Sequence, residues 1–351
     1  MRGTDRESQI VRQVLRAIET GQGLRIVGGG SKAFYGGHCT ADVVLNTAEH
    51  SGVIDYQPSE LVVTLRSGSR MAEISELLAG QRQMLGFEPP DYAGRATLGG
   101  TLACGFSGPR RPFAGSARDF VLGCKIVNGR GEVLNFGGRV IKNVAGFDVS
   151  RLMVGALGTL GVLLEVTLRV LPVPETELTL VYALNEARAL NRMQQLSGQP
   201  WPLSAMAFDG EFLRIRLSGA EAAVGAAAAQ LAGDIDPDGD MFWHDLREQR
   251  LSFFQLPGSL WRIGMAPASA PLNLSGRGLL DWGGALRWLN SDMPAETIHA
   301  AASARGGHAI CYRGEDKSDW MRLDGGLLGL QRNIRQAFDP LTIFNSGRLF
   351  S

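Results

Sequence analysis

Apolar positions along this chain alternate between helical and extended spacing. Near the start, Ile10, Val11, Val14, Leu15 and Ile18 recur at helical intervals among charged residues, and the pattern stops at Gly21 and Gly23. Leu24-Arg25-Ile26-Val27 reads as a short strand running into Gly28-Gly29-Gly30-Ser31-Lys32. Asp42 to Leu45 and Leu61 to Leu65 read as further strands, and Met71 to Leu78 as a helix carrying Ile74, Leu77 and Leu78. Phe120 to Val127 and Val133 to Phe136 form a predicted hairpin about the turn Asn128-Gly129-Arg130-Gly131. A small-residue loop, Gly155 to Gly161, leads into the strand Val162 to Val170, and Pro172 and Pro174 then break the pattern.

Past those prolines the texture changes. Shorter strands, Leu213 to Leu217 and Leu260 to Ile263, are separated by alanine-rich helical stretches such as Ala220 to Leu231. Leu330 to Phe338 is helical in pattern, ends at Asp339-Pro340, and leaves a turn-rich tail with Asn345-Ser346-Gly347-Arg348. This mixture predicts an α+β protein in three parts: 1–172, a smaller α+β unit over 173–330, and a tail over 331–351.

At 351 residues and 44% hydrophobic, the chain buries a large core, which excludes a disordered protein. Its 35 Lys and Arg balance 35 Asp and Glu, so long-range attraction to nucleic acid or an anionic membrane is excluded. Any bound anion must be held locally. The four cysteines contain no C-x-x-C pair, which removes an iron–sulfur or zinc-ribbon signature and reads as reduced thiols. The opening helix is unlike a signal peptide, and no apolar run approaches the ~18 residues of a spanning helix. A cytoplasmic location is expected, with any membrane association peripheral and through a partner.

The 46 glycines cluster in short loops at strand ends, where backbone approaches a ligand closely. Gly28, Gly30 and Ala33 formally satisfy G-x-G-x-x-G/A, but Phe34-Tyr35-Gly36-Gly37-His38 is a poor helix and the next strand arrives too soon for a nicotinamide-type fold. Lys32 is misplaced for a Walker loop. The first loop is left as a set of backbone N–H groups able to hold a pyrophosphate, with Ser31 adding a hydroxyl and Lys32 either charge or mere solvation. In the second, Ala96 to Ala103, Gly99-Gly100 opens a helix from Thr101 and presents free amides. The third, Gly158 to Val162, lets backbone reach a flat ring. Each alone is compatible with a tight turn; together they point to a dinucleotide.

These residues resemble the vanillyl-alcohol-oxidase flavoproteins. The resemblance rests on Ile26 to Ser31, Ala96 to Gly100, the run Lys142 to Gly155, the Gly158 to Val162 loop and the tail Asp339-Pro340 to Arg348. Within that family, Gly108 to Phe120 and Asp281 to Trp288 are similar to the smaller FAD-binding subunits of bacterial glycolate oxidases. The resemblance implies a PCMH-type fold, two subdomains clasping FAD with a cap domain, and a tail returning to the flavin. It assigns cofactor contacts to Gly28, Gly29, Gly30, Ser31, Lys32, Thr97, Leu98, Gly99, Gly100, Gly108, Ser116, Gly161, Val162 and Asn345. Relatives with covalent flavin often carry a His in the first loop; here the nearest is His38, so FAD is expected to be non-covalent.

The catalytic 2-hydroxy-acid dehydrogenases of the family use G-D-G-N-L-H-like and E-H-G-like motifs to hold a divalent metal. Here Gly283-Gly284-Ala285-Leu286-Arg287 puts an arginine where the ligand histidine stands, and Arg305-Gly306-Gly307-His308 lacks the glutamate. An arginine stays protonated and does not ligate, so no metal is expected. Arg262 and Arg287 are candidates to bind a carboxylate, or else structural ion-pair residues. The resemblance implies a subunit of a glycolate oxidase complex, oxidising glycolate to glyoxylate beside a larger flavin-bearing catalytic subunit and an iron–sulfur subunit. A stand-alone hydroxy-acid dehydrogenase and a non-catalytic structural subunit are the alternatives.

Overall fold

A computed structural model describes residues 3–41, 43–138, 148–315, 317 and 320–349. Asp42 of the second expected strand, and 142–147 of the Lys142 to Gly155 run, lie outside these residues. The chain divides into two compact units: Met1–Phe106 with Ser116–Val173 and Leu323–Ser351, and Ser107–Gly115 with Pro174–Arg322.

In the first unit, α1 (Glu7–Thr20) ends where Gly21 turns left-handed at φ 66, as the glycines after Thr20 predict. Ile10, Val14 and Ala17 face inward at helical spacing onto Leu24 and Leu45, which belong to the parallel pair β1 (Leu24–Val27) and β2 (Val43–Asn46). The same core takes Val127, Val162, Leu164, Ile343 and Phe344, so the tail is built into the first unit rather than laid on its surface. A second, antiparallel sheet contains β3 (Val53–Gln57), β4 (Val62–Arg66), β5 (Val121–Val127), β6 (Val133–Gly137) and β7 (Val162–Arg169), in the order β3-β4-β7-β5-β6. β5 and β6 pair as the predicted hairpin, Val127 opposite Val133. Helices α2 (Met71–Ala79) and α3 (Leu98–Cys104) also belong to this unit, as does the C-terminal helix, Gly325–Phe338. That helix starts five residues before the predicted Leu330, because the Asp324 carboxylate caps it by accepting the Leu327 N–H at 2.8 Å.

The second unit is an eight-stranded antiparallel sheet. Its strands are β8 (Thr176–Ala183), β9 (Leu203–Phe208), β10 (Phe212–Gly219), β11 (Leu260–Gly264), β12 (Arg277–Asp281), β13 (Leu286–Asn290) and β14 (His308–Arg313), with Asp234–Ile235 at one edge beside β8. Helices α4 (Glu186–Ser197) and α5 (Glu221–Leu231) bury Leu190, Met193, Val224 and Ala227 against Leu180, Met206 and Ile215 of the sheet. The segment Ser107–Gly115 groups here, although its place in the sequence puts it with 1–172. Arg110 pairs with Glu177 and donates to Ser218 Oγ at 3.1 Å, while the Gly108 carbonyl accepts the Trp282 indole N–H at 3.0 Å. Among the described residues, no helix is long and apolar enough to cross a membrane.

Candidate functional site

β1 stops at Val27, and the chain turns away from its parallel partner into Gly28 to Lys32. Among the described residues, the backbone N–H groups of Gly29, Gly30 and Ser31 donate to no protein acceptor. Consecutive unengaged amides form a concave anion receptor. Lys32 lies beneath them with only 7% of its surface exposed, its Nζ 3.0 Å from Ser31 Oγ and 5.3 Å from the centre of the Tyr92 ring. Unengaged amides beside a hydroxyl and an ammonium are a donor set that fits a phosphate group.

The second loop touches the first. A Cβ on Gly28 would stand 2.3 Å from Thr97 Oγ1, and one on Gly29 only 1.6 Å from the Arg95 carbonyl. Only glycine permits that approach. Thr97 is the N-cap of α3, its hydroxyl accepting from the Gly100 N–H at 3.4 Å. The expectation of free amides in this loop is corrected: Leu98 N–H donates to Ser69 O at 2.8 Å and Gly99 N–H to Ser67 O at 2.7 Å. α3 also begins at Leu98 rather than Thr101. Leu98 to Gly100 therefore contribute close packing rather than donors. Two hydroxyls that sequence reasoning missed, Ser67 Oγ and Thr101 Oγ1, are buried in this region with no hydrogen-bond partner among the described residues.

The third loop is fastened to α3, Leu157 N–H donating to Ala103 O at 2.8 Å and Gly155 N–H to Leu102 O at 2.9 Å. Asn345 reaches it from the tail. Its Nδ2 donates to Leu157 O at 2.7 Å and its Oδ1 accepts the Ile26 N–H of β1 at 2.8 Å. At Gly158, φ is +71 and a Cβ would lie 2.7 Å from Asn345 Nδ2, so glycine is required both sterically and conformationally. Asn345 is thus a brace between β1 and the third loop. Val162 is fully buried in the core and paired with Val127, and Gly161 packs beside the Val127 carbonyl. Arg348, also from the tail, donates to Lys32 O at 2.9 Å and Ala33 O at 3.2 Å. The three loops and the tail therefore converge at the end of β1. Cys104, at the end of α3, has its thiol pushed up by burial, against the charges of Lys32 and Arg348.

Ser116 spends both its amide and its hydroxyl on Asp119 Oδ2, at 2.8 and 2.7 Å. Gly108 belongs to the second unit, under Trp282. Arg287 is buried and committed to backbone carbonyls, Ala270 O at 2.7 Å, Gly284 O at 3.4 Å and Ser269 O, which corrects its reading as a carboxylate receptor. Arg262 is half-buried, 4.9 Å from the centre of the Trp282 ring. Among the described residues, no three His, Cys, Asp or Glu side chains gather to hold a metal ion.

Residues 5–137 match the FAD binding domain family, a span that holds the first two loops. The fold is that of the vanillyl-alcohol-oxidase, PCMH-type FAD-binding proteins. The solved structure of alkyldihydroxyacetonephosphate synthase superposes on 96% of this chain and 75% of its own, with a TM-score of 0.70 at 16% identity. Over its whole length the chain is 43% identical to the glycolate oxidase subunit GlcE of Escherichia coli K12, covering 99% of that protein. The chain belongs to this family of glycolate oxidase subunits, and so to a family of FAD-binding oxidoreductases. Glycolate oxidase subunit GlcD of Bacillus subtilis is 32% identical over 150 residues, 42% of this chain and 31% of that protein.

Proposed function

We propose that this chain is the subunit of a glycolate oxidase complex that binds FAD without a covalent bond, and that it takes part in oxidising glycolate to glyoxylate. The observation that carries the reading is the first loop: three unengaged amides, Gly29 to Ser31, over the buried Lys32 ammonium, in contact with the Thr97 loop. Such a receptor suits the pyrophosphate of a dinucleotide. Ser31 and Lys32 supply a hydroxyl and a charge to it; Thr97, Gly99 and Gly100 hold the second loop against it, and Asn345 and Arg348 hold the third loop and the first in place. FAD, when bound, supplies the capacity to accept a hydride from a hydroxy acid and to release its electrons onward.

The partners in this reading are a larger flavin-bearing catalytic subunit and an iron–sulfur subunit, because this sequence contains no cluster motif of its own. The complex is cytoplasmic, with any membrane contact made through those partners. Co-purification of the tagged chain tests the whole proposal. Recovery of both partner subunits, with FAD released into the supernatant on heating, is the expected result. Turnover of glycolate by the isolated chain with an artificial acceptor would favour a stand-alone dehydrogenase. A colourless chain that takes up no FAD would favour a structural subunit.

A further inference from the structure

The second unit gathers two guanidinium groups around one indole, with an imidazole close enough to feel both charges. Trp282 follows β12 in a left-handed conformation, φ 54, and is held from both ends: its N–H donates to Asp281 Oδ1 at 2.7 Å and its indole N–H to Gly108 O at 3.0 Å. Arg111 lies 4.1 Å from the centre of that ring, and Arg262, from the middle of β11, lies 4.9 Å from it. Among the described residues Arg262 has no acidic partner, whereas Arg110 and Arg216 of the same unit pair with Glu177. His308 opens β14 opposite Gly264, close enough that a Cβ on Gly264 would meet its Cε1 at 2.5 Å. Desolvation, then the charges of Arg262 and Arg111, pushes the His308 imidazole below its ordinary value, which favours its neutral form.

Like charges drawn to one ring repel each other, and stacking on an indole holds a guanidinium plane without using its N–H donors. A divalent cation is a poor occupant here, since two guanidiniums repel it and one imidazole is a single ligand. A small planar anion is a good one, because it offsets the Arg262 charge and accepts paired N–H groups from a guanidinium. We propose that Arg262 and Arg111, oriented by Trp282 and joined by His308, form a receptor for the carboxylate of a two-carbon hydroxy or oxo acid, without a metal. The choice of acid rests on the glycolate oxidase reading; the preference for a carboxylate rests on the cluster itself.

Oxalate, which resembles such acids and does not turn over, is the probe, titrated into the purified full-length chain by calorimetry. The unaltered protein is expected to bind oxalate saturably, with glycolate competing. Arg262→Gln is expected to weaken oxalate by at least about tenfold, the loss expected for a charged hydrogen bond. Arg262→Lys is expected to restore it only in part, since an ammonium lacks the paired donors. Arg277→Gln, at the exposed start of β12, is expected to leave binding unchanged. FAD content is read on every variant, so that loss of the cofactor reading and loss of this one are separate results. Oxalate binding equal in Arg262→Gln and the unaltered chain, no saturable oxalate binding at millimolar concentration, or zinc binding that is lost in His308→Ala and kept in Arg262→Gln, would each overturn the proposal.

Discussion

The side-chain amide of Asn345 spans from the Ile26 N–H, 2.8 Å away, to the Leu157 carbonyl at 2.7 Å, and thereby fixes the end of β1 against the third loop. Asn345→Ala strands both groups in a buried setting, and each such loss costs about 1–3 kcal/mol. A loss of about 2–4 kcal/mol in urea unfolding and a weaker affinity for FAD are expected together. Unchanged affinity alongside lowered stability would separate the brace from the cofactor site.

Arg348 holds the first loop of the same system, through Lys32 O and Ala33 O. It is only half-buried, so Arg348→Ala is expected to leave thermal stability almost unchanged. FAD binding should weaken by roughly three- to tenfold, the worth of one or two hydrogen bonds. Flavin fluorescence titration of the deflavinated chain measures it.

Gly29→Ala places a methyl group 1.6 Å from the Arg95 carbonyl, so the first and second loops must separate. Overpacking of this kind costs about 1–3 kcal/mol or more. The variant should purify with little or no flavin and unfold at lower urea. Gly225→Ala, in α5 with open space around it, is the matched control and should retain full flavin content.

His50 carries a pH prediction. It is fully buried, and its Nδ1 accepts the Arg6 N–H at 3.0 Å. Burial pushes its pKa below 6.5, against the opposing charge of Asp5. The unfolded chain therefore binds this proton more readily than the folded one. Stability is full above about pH 7 and falls as pH drops through 6.5 toward the lower folded value. His50→Asn should be less stable at pH 7.5 but show a shallower decline between pH 7 and 5.5, measured by urea unfolding.

Much of this was legible in the sequence where the cause is local. The α1 stop at Gly21, the β1 strand and the hairpin at Asn128 to Gly131 follow from periodicity and turn chemistry, and the structure has them there. What escaped is set by partners distant in sequence. Ser107–Gly115 joins the second unit because Arg110 meets Glu177 and Gly108 meets Trp282. The amides of Gly99 and Gly100 looked free until the Ser67 carbonyl and the Thr97 hydroxyl claimed them, and Arg287 looked available until the carbonyls of Ala270, Gly284 and Ser269 claimed it. Arg348 stood in the tail motif, but nothing local in the sequence says that it holds the first loop.

Titration of the deflavinated chain with FAD and with riboflavin measures directly where the cofactor is gripped. If the amides of Gly29 to Ser31 and the Lys32 charge hold the pyrophosphate, FAD binds stoichiometrically, riboflavin binds at least about a hundredfold more weakly, and Lys32→Met erodes that difference. Equal affinity for the two flavins, or a preference for FAD that survives in Lys32→Met undiminished, would contradict it.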